Sequence, residues 1–181
     1  MKHSKMMLVG TLLIAIFLIN MVIPASAYVD NGCYWYAGVA TVKKATSIPT
    51  GWNTSLVAAS TTWNNAGADF RFSWSGVSTN YLYYSSLGPD GPIARAYPDA
   101  DGDRMEACYV RFNSDYSWST SGESGKYDVQ NIATHEFGHW LSLGHPPDDT
   151  EATMYKYSKL GEIKKRDLTS DDITGIKSIY P

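Results

Sequence analysis

Within His135-Glu136-Phe137-Gly138-His139-Trp140-Leu141-Ser142-Leu143-Gly144-His145, two histidines stand four residues apart and a third follows six residues later. On a helix, side chains four apart project from one face, so His135 and His139 can grip a single cation. His145 lies past the end of that helix and can come back as a third nitrogen ligand, and Pro146 and Pro147 forbid further helix beyond it. Any fold available to this chain must bring one helix face and one returning loop to the same point. Three imidazoles and a water make a tetrahedral zinc site with an open position, which is the arrangement of a catalytic zinc. Glu136 can reach that water without ligating the metal. Zinc lowers the pKa of such a water to ~7 and polarises a carbonyl, while Glu136 takes and returns the proton. Peptide hydrolysis is the chemistry this suits best. The competing reading is a helix whose histidines are ordinary surface or core residues. Against it, His3 is the single histidine of four outside the motif, and it sits in a segment expected to be removed.

That segment reads as a secretory leader. Lys2 and Lys5 give it a positive start, and Met6 to Ile23 is apolar apart from Gly10, Thr11 and Asn20. Pro24-Ala25-Ser26-Ala27 then supplies a small-x-small cleavage pattern, so residues 1–27 are expected to be a signal peptide and Tyr28 the first mature residue. An uncleaved membrane anchor is the alternative, since the apolar run is nearly long enough to span. The remaining 28–181 suffices for one domain with a sizeable core, and no internal repeat suggests a second. Net charge is −3 and the longest basic run is Lys164-Lys165-Arg166, so nucleic-acid binding has no support. The expectation is a secreted, extracellular monomer without stable membrane association after cleavage. Export makes a Cys33–Cys108 disulfide chemically reasonable, worth roughly 4 kcal/mol for a loop of about 75 residues. The alternative is a free Cys33 thiolate on the open position of zinc. The 13 Tyr and 6 Trp read as core and sheet packing, or as surfaces that contact peptide or carbohydrate.

In chain order, Tyr34 to Val42 is aromatic and β-branched, an early strand or extended segment. Asn53 or Thr54 can cap a helix running to about Ala66, with Leu56, Ala59 and Trp63 on one face. Phe70–Trp74, Tyr81–Tyr84, Ile93–Tyr97 and Cys108–Phe112 are strand candidates. A polar link, Ser114 to Gly125, leads to the zinc helix, capped by Asp128, with Ala133, Phe137 and Trp140 burying one side and the metal face pointing away from them. The last helix spans Ser170 to Tyr180 behind a Thr169/Asp172 capping pair. Asp99, Asp101 and Asp103, with Glu106 beyond, offer carboxylates around Gly102; a solvated acidic turn and a calcium site both fit.

The zinc motif, together with Ala152-Thr153-Met154-Tyr155 downstream, resembles the metzincin zinc peptidases, and the whole mature chain is similar to a matrixin catalytic domain. Trp63–Trp74, Ala94-Arg95-Ala96-Tyr97 and Leu168–Ile176 add to the likeness. The resemblance implies an α+β, zincin-like fold: a twisted mixed sheet over two long helices, a zinc cleft, and a small C-terminal part with a third helix. It implies endopeptidase activity on a protein or peptide aligned along an edge strand. It makes Met154 a floor beneath the three histidines, the Met of a Met turn.

The sequence departs from the family pattern in four ways. Ser142 stands where the clan has Gly, at a turn that often needs positive φ, which could cost on the order of 1 kcal/mol. Pro146 after His145 is serralysin-like, but the tyrosine that serralysins and astacins place two residues after the Met is Lys156 here. Tyr157, one residue further, is a candidate to assist zinc or the oxyanion, or else a pocket wall. An inhibitory propeptide with its cysteine is expected to be absent. Arg95 stands where a structural zinc ligand would be, so one zinc is expected. Two further readings compete with the peptidase: a secreted protein that holds zinc without turnover, and a zinc hydrolase acting on a non-peptide amide.

Overall fold

A computed structural model describes residues 28–181, so the expected leader, 1–27, lies outside the described residues. Val29–Asp30 forms a short strand, β1, and Val39–Lys44 forms β2. In β2, Ala40 and Val42 are buried while Thr41 and Lys43 stay half-exposed, the period-two pattern of a sheet with one covered face. The early strand therefore begins five residues later than Tyr34, which makes only an isolated bridge to Arg104. Arg71–Trp74 (β3) and Tyr81–Ser85 (β4) flank β2 in parallel, and Arg104–Asn113 (β6) lies parallel to β4. Ala94–Asp101 (β5) closes the sheet as an antiparallel edge, giving the order β3-β2-β4-β6-β5.

Helix α1, Asn53–Asn64, buries Leu56, Ala59 and Trp63 as expected. Its start differs. Pro49 begins a 3-10 turn, Thr50–Trp52, that runs straight into the helix, and Asn53 accepts from Lys44 Nζ at 2.6 Å instead of capping. The sequence supports this too, because proline pre-sets the backbone for a helical turn. Helix α2, Val129–Trp140, packs across α1, and the Trp63 indole N–H donates to Thr134 O at 2.8 Å. Two short paired strands, Trp118–Ser119 (β7) and Tyr127–Asp128 (β8), lead into α2 across the link expected to be irregular. Strand β9, Leu143–Gly144, pairs antiparallel with β1, and α3, Ser170–Ile179, ends the fold behind the full Thr169/Asp172 capping box. The mixed sheet, three helices and histidine site are those of the zincin class.

The expected disulfide is not formed: Cys33 and Cys108 are both free. Cys33 lies in the loop after β1 with its Sγ 3.9 Å from the Ser142 hydroxyl, whereas Cys108 is buried in β6 with its N–H on Asn80 Oδ1. Desolvation pushes the Cys108 thiol pKa far up, so it stays protonated. The acidic run forms a tight turn at the tip of the β5–β6 hairpin. Asp101 and Arg104 face each other across a two-residue hairpin loop with Gly102 at φ 64°, and Asp99, Asp101 and Asp103 are exposed. Among the described residues, no group of three or more His, Cys, Asp and Glu donors converges other than the histidine triad.

Ser142 does adopt the left-handed backbone, at φ 72°. Its side chain offsets the strain: Oγ accepts from Cys33 N and donates to Asp30 Oδ1, each at 3.1 Å. Ser142→Ala keeps the strain and loses both bonds, so it should destabilise by about 1–3 kcal/mol. Ser142→Gly trades bonds for backbone freedom and should stay within about 1 kcal/mol of wild type. Urea midpoints decide, and an alanine variant as stable as the glycine variant would show that the hydroxyl is idle.

Candidate active site

Helix α2 is buried on nearly every side, not on one, because β5 covers the face opposite α1. Its start is held by Asp128, whose Oδ1 accepts from Asn131 N at 2.9 Å and from Arg166 Nε at 2.9 Å. Two residues before its end, Gly138 lets the Met turn come close: a Cβ there would lie 2.1 Å from Met154 Sδ and 2.9 Å from Trp63. Met154 is buried against α2 at Gly138, as either a floor residue or a plain core residue would be. Asp172 holds the Met turn in place, its Oδ2 accepting from Thr153 N (2.9 Å) and its Oδ1 from Met154 N (3.2 Å). The sequence reading gave Asp172 only a capping role.

The left-handed turn at Ser142 and the β9–β1 pairing then return the chain so that His145 meets His135 and His139. One nitrogen from each ring lies within 4.8 Å of the others, and His135 Nε2 is 3.1 Å from His145 Nε2. His135 Nδ1 and His139 Nδ1 each sit 2.7 Å from a backbone carbonyl, of Thr153 and Leu143, which makes them the protonated nitrogens. Their Nε2 lone pairs are left for a cation. Burial holds all three imidazoles neutral, lowering their pKa values, that of His139 to about 4. Neutral imidazoles at this separation suit a metal bound at ~2.0–2.1 Å, as zinc is.

Glu136 is buried next to the triad, and desolvation raises its pKa to about 8, opposed by the Ala96 backbone hydrogen bond and the charges of Lys165 and Arg95. Its Oε2 is buried with no hydrogen-bond partner. Such an orphaned oxygen marks a place where a further polar group belongs. The triad and Glu136 open into a cleft of about 680 Å³ between the β5 segment, Ile93 to Pro98, and α2, with Lys156 and Ser158 on the other side. A second depression of about 700 Å³, between Trp35, Phe70 and Tyr180, contains none of these residues.

Tyr157 is not brought to the cleft. It is 60 % exposed and faces a separate hollow with Tyr155 and Lys159. Lys156, which the sequence reading passed over, lines the cleft in its place. The sequence reading also missed Lys165, 1 % exposed, whose Nζ donates to Tyr155 O and whose N–H donates to Asn131 Oδ1. Burial lowers its pKa to about 8. Between pH 8 and the unfolded value of about 10.4 the folded chain binds fewer protons than the unfolded one, so stability rises with pH across that window. Measured by chemical denaturation, wild type should gain stability from pH 8 to 10 relative to Lys165→Met. Parallel curves for the two proteins would mean that Lys165 is solvated.

The matrixin peptidase model matches residues 42–181. The chain is 36 % identical to Metalloendoproteinase 1 of Glycine max over 103 residues, 54 % of this chain and 31 % of that protein. It is also 36 % identical over 93 residues to human Matrix metalloproteinase-27 and to human Neutrophil collagenase, covering 51 % of this chain and 17 % and 19 % of theirs. It thus spans about a third or less of the length of these relatives. With the family match covering well over half of the sequence and three imidazoles gathered on the zincin scaffold, this chain belongs to the matrixin family.

Proposed function

We propose that the chain is a secreted zinc-dependent endopeptidase, with His135, His139 and His145 as the zinc ligands and Glu136 as the proton carrier. The observation that carries this is the pairing of a converged, neutral imidazole triad with a buried, unpartnered carboxylate oxygen in one cleft. Zinc, when bound, supplies Lewis-acid polarisation of the scissile carbonyl and acidifies the attacking water. Glu136 Oε2 takes a proton from the water and delivers it to the leaving amine nitrogen. The elevated pKa from burial suits a group that must both accept and return a proton near neutrality.

Strand β5 supports a peptide substrate. Among the described residues it pairs with β6 alone, so its other edge offers N–H and C=O groups along the cleft. Secretion rests on the leader pattern of residues 1–27. No helix of the described residues is long and apolar enough to cross a membrane.

Zinc-loaded protein is expected to cleave quenched peptides at internal bonds, to stop with a strong chelator, and to recover when zinc is restored. Mass spectrometry of the products identifies the bonds. Zinc bound at one equivalent with no cleavage would instead favour a zinc-holding binding protein, and cleavage confined to small amides would favour the other hydrolase.

A further inference from the structure

One face of the central sheet is taken into the core through Val42, Leu82 and Val110. Strand alternation turns their neighbours to the opposite face. The register sets Lys43 beside Tyr81, Tyr83 beside Arg111, Tyr97 beside Tyr109, and Arg95 opposite Arg111. Four tyrosines and three cations thus form one stripe across β2, β4, β6 and β5, three strand spacings or ~14 Å wide. The rings pack on one another: Tyr81 on Tyr83 at 5.5 Å, Tyr97 on Tyr109 at 4.6 Å, and Tyr83 edge-on to Tyr109 at 6.0 Å. The cations rest on them, with Lys43 Nζ 5.3 Å from the Tyr81 centroid, and Arg95 and Arg111 5.3 Å and 5.9 Å from that of Tyr97. Among the described residues none of these cations makes an ion pair, and none of the four phenol hydroxyls has a hydrogen-bond partner. The carboxylates of the five strands, Asp99, Asp101 and Glu106, all belong to the hairpin end of β5 and β6. A chain of net charge −3 therefore presents one locally positive face.

We propose that this outer sheet face binds an anionic polysaccharide, whose carboxylate or sulfate groups are received by Lys43, Arg95 and Arg111 and whose sugar oxygens are received by the tyrosine hydroxyls. Charge complementarity selects a polyanion, since a cation resting on a ring keeps its other donors for a second partner. Ring packing then selects sugar over nucleobase. A base needs an open ring face to stack on, and here the ring faces are given to neighbouring rings and cations. What the stripe leaves free is rim hydroxyls and N–H groups, which match a hydroxylated, charged chain. The alternate residues of β5, Ala94 and Ala96, line the catalytic cleft, so a polymer on the outer face leaves that cleft open. The proposal is independent of the peptidase reading.

The test measures anisotropy of labelled polygalacturonate, dextran sulfate, neutral dextran and oligothymidylate against the protein. Wild type should bind at least one of the two anionic polysaccharides, and which one it prefers separates a carboxylate ligand from a sulfate ligand. It should leave dextran unbound, bind oligothymidylate more weakly than the preferred polysaccharide, and lose affinity as salt rises. Arg95→Gln with Arg111→Gln should weaken binding by about three- to thirtyfold. Lys159→Gln with Lys177→Gln removes the same net charge from exposed sites elsewhere and should change it by less than about twofold. Tyr97→Phe with Tyr109→Phe keeps the rings and should weaken binding while leaving its salt dependence intact. Unchanged near-ultraviolet circular dichroism establishes that each variant is folded. Failure of wild type to bind either anionic polysaccharide would overturn the proposal. So would an equal loss in the Lys159/Lys177 variant, which would reduce the effect to net charge, or tighter binding of oligothymidylate, which would make the face a nucleic-acid surface.

Discussion

Glu136→Gln is expected to keep one equivalent of zinc and lose between about 10² and 10⁴ in kcat, with KM little changed. The amide matches the carboxylate in shape, so it fits the buried position beside Ala96 without disturbing the three histidines. What it cannot do is accept a proton at neutral pH and return it to a departing amine. The variant should also melt no lower than wild type, because the buried carboxylate is expensive to ionise and its Oε2 has no partner. Lower activity with equal or greater stability is the mark of a group held strained for function. Metal content, melting temperature and kcat together separate the outcomes. Activity within a factor of about 10 of wild type would remove Glu136 from the proton path. Loss of zinc along with activity would show that it organises the ligands instead.

Much of the site was legible in the sequence because its parts are local. Two histidines four apart on a helix need no tertiary knowledge to be placed on one face. Asp128 as a helix cap and Thr169 with Asp172 as a capping box were readable for the same reason, and both formed as expected. Contacts between distant parts of the chain were not legible. That Asp172 also grips the Met turn depends on α3 lying beneath residues 152–154, which no spacing announces. The exchange of Tyr157 for Lys156 at the cleft turned on one residue of register, and in an extended segment one residue swaps the face presented. The acidic run around Gly102 left two readings open for the same reason. Carboxylates close in sequence became a two-residue hairpin loop, whose exposed side chains do not converge. The strain at Ser142 was foreseeable from its place after the helix, but not its compensation by Asp30 and Cys33, more than a hundred residues earlier.

The scaffold beneath the histidines is most vulnerable at Arg166. The Asp128 side chain is fully buried, and its carboxylate is gripped at both oxygens by the guanidinium, Nε to Oδ1 at 2.9 Å and an Nη to Oδ2 at 2.6 Å. The same carboxylate caps α2 through Asn131 N and receives Gly122 N at 3.1 Å. Replacing Arg166 with Met leaves a buried charge with backbone donors alone, a loss of about 3–5 kcal/mol. For a domain of this size that corresponds to a fall in Tm of roughly 6–20 °C. Asp128→Asn in the same background removes the stranded charge, so the double variant should be more stable than Arg166→Met by at least about 1 kcal/mol. That rescue separates charge burial from simple loss of packing, which a second substitution could not repair. The effect should also reach the metal, because the pair joins the first turn of α2 to the 3-10 turn Lys164–Arg166, and through Lys165 to the Tyr155 carbonyl beside the cleft. Zinc affinity is therefore expected to fall in Arg166→Met and to recover in the double variant. A single variant within about 1 kcal/mol of wild type would mean that the guanidinium is replaceable by solvent and that the helix start stands on its cap alone.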